Sequence, residues 1–396
     1  MGSTVTPAAW RNALFAIFFV NGLGLSSWLA RVPAIRDGLE VSTGEIAALL
    51  FAGAVGAVVG LVFSSHLIAW LGQRTTIIVF GLVGLTGVAA IGLNSSVTQS
   101  YWLTLGSIVL AGAGNGIADV AMNVEGASIE RAIERNIMPW FHALWSLGTV
   151  TGAALAAAAS FFGMGIAAHT AAIALVFAPV VIVAGRMMST GAGSRTTNGV
   201  ESPTTLAGRL SVWKEPRTLA IGVITLGMAF AEGSANDWLA LAMVDGRGLS
   251  NAEGAVWFGF FTAGMLAGRI SGVFVLDRFG RVPVLQVSAA VALIGLSLVI
   301  LVAQPVISII GVVLWGLGSS LGFPVGMSAA ADNPDGSAAR VSAVATVAYA
   351  AFLIGPPLIG GIGEVTGLLS ALWVVVALIA VSFVAAPAAK PPQATP

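Results

Sequence analysis

Thr75–Leu93 reads TTIIVFGLVGLTGVAAIGL and contains no charged residue. A helix needs about 20 mostly apolar residues to cross a bilayer. Backbone groups in lipid must bond to one another, which favours a helix over an open sheet. We therefore predict that this stretch is a transmembrane helix.

The same pattern recurs along the whole chain. Of its 396 residues, 57% are hydrophobic and 9% are charged, whereas soluble chains carry about 25% charged residues. We predict an all-α membrane protein with twelve spans, near residues 10–30, 44–70, 75–93, 101–128, 137–163, 165–187, 217–243, 253–276, 282–302, 305–331, 340–363 and 367–387. The net charge of 0 gives no indication of nucleic acid as a partner, and the absence of Cys excludes disulfides and thiolate metal sites. No cofactor is predicted.

A stretch rich in Gly, Ser and Thr at 188–216 predicts a flexible cytoplasmic linker between two six-helix halves, 1–187 and 217–387. The Pro-rich residues 388–396 predict a disordered tail. Thirteen basic residues fall on the side of the N-terminus and three on the other side, namely Arg31, Arg36 and Arg247. This bias predicts that both termini are cytoplasmic.

An internal repeat relates the two halves at a shift of about 208 residues. The matched residues are Trp28-Leu29-Ala30 with Trp238-Leu239-Ala240, Ser42 and Glu45 with Ser250 and Glu253, and Gly56, Gly60 and Gly72 with Gly264, Gly268 and Gly280. Each half has an even number of spans, so the repeats run parallel across the membrane. Two parallel, pseudo-symmetric six-helix halves are the layout of major facilitator transporters.

A loop motif strengthens that comparison. Gly272–Arg281 reads GVFVLDRFGR and resembles the major facilitator signature between helices eight and nine. We expect Gly280 to permit the tight turn, and Asp277 and Arg278 to join neighbouring helix ends, with Gly272 and Arg281 completing the motif. The first-half copy keeps Gly72 but lacks the acidic residue.

Three further segments are similar to a bacterial branch of this superfamily that is related to fucose permeases. They are Gly112–Asn123, Ile137–Ala143 and Glu232–Trp238. The resemblance implies a transporter in a bacterial inner membrane, with helices one, four, seven and ten lining a central cleft, but no particular substrate. Gly355–Gly361 resembles a drug-antiporter motif, but it lies on helix eleven instead of helix five, and we interpret its two prolines as a helix kink.

Polar residues inside the spans are the candidate functional residues, because a charge at the bilayer centre costs about 2.5–3.5 kcal/mol. Asn115, Asp119 and Asn123 recur every four residues and form one polar stripe. We predict Asp119, Glu232 and His142 as proton-coupling residues. The predicted solute-binding residues are Asn21, Asn115, Asn123, Trp145, Asn236, Trp315 and Ser319. For each residue the alternative is a structural function in helix packing.

Three other residues carry structural expectations. We expect Glu125 to pair with an arginine near the cytoplasmic interface. We expect Arg269, within the eighth span, to pair with a carboxylate. Trp10, near the start of the first span, is expected in the interfacial aromatic belt.

Secondary active transport of a small polar solute, by proton symport and alternating access, is the leading functional hypothesis. No GxxxxGK[ST] motif is present, so ATP is not the predicted energy source. The alternatives are a proton-antiport exporter of amphiphilic compounds and a non-transporting scaffold or sensor. No nucleophile–base pair indicates an enzyme. The expected partners are the solute, protons and the lipid bilayer, and the expected state is a monomer.

Overall fold

The computed structural model describes residues 6–135, 137–188, 211–332 and 336–391. These residues form α-helices joined by short turns, and they contain no β-strand. The helices are α1 (Pro7–Leu29), α2 (Val32–Leu39), α3 (Thr43–Leu71), α4 (Gln73–Ser96), α5 (Tyr101–Ile133), α6 (Met138–Phe161), α7 (Ile166–Arg186), α8 (Pro216–Arg247), α9 (Asn251–Phe279), α10 (Arg281–Leu301), α11 (Pro305–Ser319), α12 (Gly322–Ala330), α13 (Ser337–Thr366), α14 (Leu368–Ala371) and α15 (Trp373–Ala385).

Eleven helical stretches in the described part of the chain are long and apolar enough to cross a membrane. Two of them combine consecutive helices, α11 with α12 (Pro305–Ala330) and α14 with α15 (Leu368–Ala389). The eleven stretches coincide with eleven of the twelve predicted spans. The remaining prediction, 253–276, falls on α9, a 29-residue helix that carries Arg269 in its interior. The all-helical membrane fold class is confirmed.

The residues matched by the internal repeat have matching structural functions. Ser42 begins α3 with a capping box, in which its backbone N–H donates to Glu45 at 2.9 Å and its hydroxyl accepts from the Glu45 N–H at 3.2 Å. Ser250 and Glu253 form the same pair of bonds at 2.8 and 3.3 Å before α9. Gly72 and Gly280 both adopt positive φ, +78° and +77°, at the turns that follow α3 and α9. The residues of the sequence repeat therefore form the same helix caps and turns in both halves of the chain.

The chain divides into two compact units. Unit 1 consists of the described residues of 1–196 and 248–259, and unit 2 of those of 197–247 and 260–396. The core of unit 1 is a buried apolar cluster around Leu14, Phe18 and Phe141. In unit 2, a second cluster includes Ile221, Leu285 and Val344.

Glycines allow the backbones of α1 and α6 to approach closely within unit 1. A Cβ atom at Gly22 would collide with the backbone of Trp145, and one at Gly148 would collide with the backbone of Phe19. Small residues at helix contacts are typical of membrane bundles, where packing replaces the hydrophobic effect as the driving force between helices. These two glycines therefore fix how α1 and α6 pack.

The predicted linker and the predicted tail lie only partly within the described residues. Residues 189–210 of the predicted linker and 392–396 of the predicted tail lie outside the described residues. The start of the predicted tail is ordered, because Ala386–Ala389 form a 3-10 turn. Ala389 is buried against the unit 2 core, and this burial of the alanine side chain explains the difference from the prediction.

Candidate functional site

The polar stripe of α5 lies in unit 1, with Asn115, Asp119 and Asn123 each half-buried. The Asn123 amide donates to the backbone carbonyl of Asp119 at 2.8 Å and to its Oδ1 at 3.3 Å. One carboxylate oxygen is therefore held by an amide of the same helix. Among the described residues, Asp119 makes no ion pair, so protonation would not have to compete with a bound cation.

A second polar contact joins α1 and α6. The Trp145 indole N–H donates to Asn21 Oδ1 at 3.2 Å, so the structure brings these two predicted solute-binding residues together. His142 lies one turn earlier on α6 with its side chain exposed. Its ring meets the edge of Phe18 at a centroid distance of 5.6 Å. Another polar contact crosses the same interface, because the Ser26 hydroxyl of α1 donates to the Thr149 carbonyl of α6 at 2.7 Å.

The surroundings of Glu125 differ from those expected from the sequence. The expected ion pair with an arginine is wrong: Glu125 is fully buried, and its Oε1 accepts from the Trp10 indole N–H at 2.7 Å. Oε2 has no hydrogen-bond partner within the described residues. Trp10 is buried beside it, and it is not in an interfacial belt as expected. The hydrogen bond explains both differences, because a buried carboxyl group needs a donor and the indole provides one.

In unit 2, the main charged feature inside the spans is an ion pair. Arg269 on α9 donates from Nη2 to Glu232 Oε1 on α8 at 3.1 Å. The two side chains are 20% and 14% exposed. The expectation that Arg269 pairs with a carboxylate is confirmed. The same contact means that Glu232, a predicted proton carrier, is held by a guanidinium group.

The other predicted solute-binding residues of unit 2 differ in exposure. Asn236 is half-buried, one turn after Glu232 on α8. Trp315 is fully buried on α11 and packs edge-to-face on Phe261 at 5.3 Å. Ser319 is also buried, and its hydroxyl donates to the Trp315 carbonyl at 2.8 Å. Trp315 and Ser319 thus contribute to packing within unit 2, and their contact with a solute stays a prediction.

The loop motif acts differently from the expectation. Asp277 and Arg278 are both exposed, and the Arg278 guanidinium lies 5.5 Å from the centroid of the Phe279 ring. Arg281 joins two helix ends instead, because it pairs with Asp332 at 2.5 Å and donates to Ser328 at 2.9 Å. A side chain at Gly272 would collide with Leu321, so this glycine permits close helix packing. The carboxylate that joins the helix ends is therefore Asp332, which follows α12, and not Asp277 of the motif.

A charged network around Asp332 was missed by the sequence reasoning. Asp332 also pairs with Arg217 at 2.7 Å, and it thereby connects the beginnings of α8 and α10. Nearby in the sequence, Glu215 accepts two bonds from Arg340, at 2.6 and 2.8 Å. The hydrogen bonds from Arg340 hold the pKa of Glu215 below its ordinary value. Arg217 and Asp332 are 115 residues apart, so no local sequence pattern indicates this network.

The proton-coupling prediction involves both units. Asp119 and His142 lie in unit 1, and Glu232 lies in unit 2. That these residues, with Asn115 and Asn236, approach one cavity stays a prediction. Within the described ranges, no group of three or more His, Asp or Glu side chains could hold a metal ion.

Comparisons with known proteins agree with this arrangement of helices. Residues 137–351 match the family model of the Major Facilitator Superfamily. An MFS-type transporter of Yersinia pestis is 28% identical over 353 residues, which cover 89% of this chain and 88% of the relative. Membrane protein MosC of Rhizobium meliloti is 26% identical, with 95% of this chain and 87% of the relative covered.

Solved structures show the same fold at low sequence identity. The nucleoside transporter NupG superposes with a TM-score of 0.78 at 13% identity, covering 96% of this chain and 99% of NupG. The E. coli fucose:proton symporter FucP gives a TM-score of 0.61 at 15% identity, covering 96% and 98%. The family model spans more than half of the chain, the helices are long enough to cross a membrane, and the fold is that of solved transporters. The chain therefore belongs to the Major Facilitator Superfamily of multi-pass membrane transporters.

Proposed function

We propose that this transporter is a proton-coupled symporter of a small polar solute, working by alternating access in the bacterial inner membrane. In this proposal the protein is a monomer with both termini in the cytoplasm. It carries the solute together with protons, and Asp119 and Glu232 are the groups that take up and release those protons.

The observation that carries this proposal is the ion pair between Glu232 and Arg269. Charged residues in spanning segments are costly, so they are retained mainly where they act on a solute or an ion. Protonation of Glu232 removes one charge of the pair and frees Arg269 to bind a polar or anionic group of a solute. Release of the proton restores the pair and displaces that group. The pair can therefore make solute binding depend on a proton.

The stripe on α5 supports the same function from unit 1. Asp119 is half-buried and has an amide as its neighbour, so it can exchange a proton without breaking an ion pair. Asn115 lies one turn before Asp119, and amides can bind hydroxyl or carbonyl groups of a solute. A titratable group beside amides fits a polar solute that is carried together with a proton.

An antiport exporter of amphiphilic compounds is the second candidate. A largely apolar and aromatic site would favour it. The half-buried polar groups of α5 and α8, and the full burial of Trp315, favour a polar solute instead. Two proteins of the same fold are named for polar solutes. NupG is named as a nucleoside transporter, and FucP is named as a symporter of fucose and protons. In a non-transporting scaffold or sensor, the same ion pair would only join α8 to α9.

The test is solute uptake into proteoliposomes with and without an imposed pH gradient. A thermal-shift screen of sugars, nucleosides and organic acids first identifies a solute that stabilises the purified protein. We expect the Asp119→Asn, Glu232→Gln double variant to lose accumulation against a gradient while it retains exchange of the solute. Accumulation equal to that of the unaltered protein would exclude both residues as the coupling groups, leaving either His142 or no proton coupling at all.

A further inference from the structure

Two buried basic side chains lie at the end of unit 1 that the positive-inside rule predicts to face outward. Arg31 follows the end of α1 and is 4% exposed, and His169, in the first turn of α7, is 3% exposed. The charge of Arg31 is close enough to act electrostatically on the His169 ring. Neither residue belongs to the predicted transport site.

Most of the polar atoms of these two side chains lack a partner. Arg31 Nη2 donates to the backbone carbonyl of Met164 at 3.1 Å. Arg31 Nε and Nη1 and both ring nitrogens of His169 have no hydrogen-bond partner in the part of the chain that the structure describes. Buried polar atoms are almost always satisfied in native proteins, so four unsatisfied polar atoms on these two side chains indicate a bound group.

The charge of Arg31 is also unbalanced. A guanidinium group stays protonated in proteins, so burial does not neutralise it. Burial lowers the pKa of Arg31, and no carboxylate among the described residues acts in the opposite direction. A buried cation is stable only when it is paired. The missing partner is therefore expected to be negative.

The helix that follows supplies further donors. α7 begins at Ile166 without a side-chain cap and without an acidic residue in its first turn. Its first backbone N–H groups and the positive end of its dipole attract anions. The bond from Arg31 to Met164 places the guanidinium group beside this N-terminus. Gly165 and Ala168 are exposed, so this turn lies at the surface of unit 1.

An arginine of unit 2 provides the contrast. Arg247 Nη2 donates to three backbone carbonyls at the end of α10, those of Val299, Ile300 and Val302, at 2.8, 3.0 and 3.2 Å. The carbonyl end of a helix carries partial negative charge and can balance a guanidinium group. Arg31 instead lies beside the N-terminal, positive end of α7. It donates to one carbonyl, that of Met164. Nε of each arginine lacks a partner among the described residues, but Arg247 contacts three carbonyls and Arg31 contacts one.

We propose that Arg31, His169 and the N-terminus of α7 form a binding site for a small monovalent anion. The guanidinium group provides the charge, a ring N–H of His169 donates one bond, and the free backbone N–H groups of α7 complete the shell. The anion must be small, because both side chains are almost completely buried. It is either a free halide from the medium or the carboxylate of a small organic acid.

The experiment is thermal unfolding of the purified full-length protein in detergent. Gluconate, which is too large for the site, is replaced stepwise by chloride or by formate at constant ionic strength. We expect a saturable rise in Tm of a few degrees. The rise disappears in Arg31→Gln and persists in the control Arg247→Gln.

A rise with chloride identifies a halide, and a rise with formate alone identifies a carboxylate. A Tm that does not depend on either anion, or a dependence that Arg31→Gln retains, overturns the proposal.

A second measurement covers the case in which Arg31→Gln does not fold. Crystals of the unaltered protein grown in bromide should show an anomalous scattering peak between Arg31 and His169. His169→Asn replaces the ring N–H by an amide N–H at a different position. This variant should therefore need a higher chloride concentration for half-maximal stabilisation. If chloride raises the Tm of the unaltered protein, bromide peaks that are found only at the surface would contradict the site.

Discussion

Arg269 on α9 and Glu232 on α8 form an ion pair at 3.1 Å, with most of both side chains out of contact with water. Removing one partner of such a pair leaves the other charge without compensation, which is more costly than removing both. The pair is therefore expected to behave as one unit in mutagenesis.

The first prediction concerns the stability of this pair. Glu232→Gln should lower the free energy of unfolding by about 1–3 kcal/mol, less than the roughly 3–5 kcal/mol of a fully buried pair because both side chains keep some exposure. The Glu232→Gln, Arg269→Gln double variant should recover most of that loss. Thermal unfolding in detergent measures both. A loss in the double variant equal to the sum of the losses in the two single variants would show that the two side chains are not coupled.

The second prediction separates coupling from binding on α5. Asn115→Ala should raise the KM for solute several-fold and leave the response to a pH gradient intact. Asp119→Asn should abolish the response to the gradient and leave exchange of solute partly intact. Uptake into proteoliposomes at several solute concentrations, with and without the gradient, distinguishes the two. If Asn115→Ala uncouples transport, the division of functions along the stripe is wrong.

The sequence allowed the helical fold to be predicted because long uncharged runs leave few alternatives in lipid. The repeat was also readable, since Ser42 and Glu45 and their counterparts are local capping signals. The partners of individual side chains were harder to predict. Glu125 was expected to pair with an arginine, but Trp10, 115 residues away, donates to it. Partners this distant depend on helix packing, which local spacing does not encode.

Charges near helix ends show the same limit. The motif residue Asp277 was expected to join helix ends, but it is exposed, and Asp332 takes that function. By contrast, a carboxylate partner for Arg269 could be expected, because an arginine inside a span needs one. Physical chemistry therefore predicts that an arginine inside a span has a carboxylate partner. Which carboxylate it is can be read only from the structure.

The third prediction tests the close contact between α1 and α6. Gly148→Leu should destabilise the protein by about 1–3 kcal/mol or more, because a side chain there would meet the backbone of Phe19. Gly106→Leu is the matched control, since a Cβ atom at Gly106 meets nothing within 4 Å. Both substitutions place the same side chain on a spanning helix. Equal unfolding temperatures for the two variants would show that the α1–α6 contact does not need glycine.

The fourth prediction is a pH dependence at the Glu215–Arg340 pair. Because Arg340 lowers the pKa of Glu215 from 4.5, the ionised carboxylate is favoured in the folded state. Its contribution to stability is fully present above pH 4.5 and is lost as the pH falls through the lowered pKa. Glu215→Gln should therefore lower the Tm at pH 6 to 7 by a small amount, since the Glu215 side chain is 35% exposed. The difference from the unaltered protein should shrink as the pH falls below 4.5.

Asp277→Asn is the control for this prediction, because Asp277 is an exposed carboxylate with no ion pair among the described residues. Its Tm should follow that of the unaltered protein over the whole pH range. The measurement is a series of unfolding curves in detergent from pH 3 to 7, compared between the two variants. A Glu215→Gln difference that stays constant down to the lowest pH would mean that the bond to Arg340 does not depend on the charge of Glu215. That outcome would remove the electrostatic basis of the prediction.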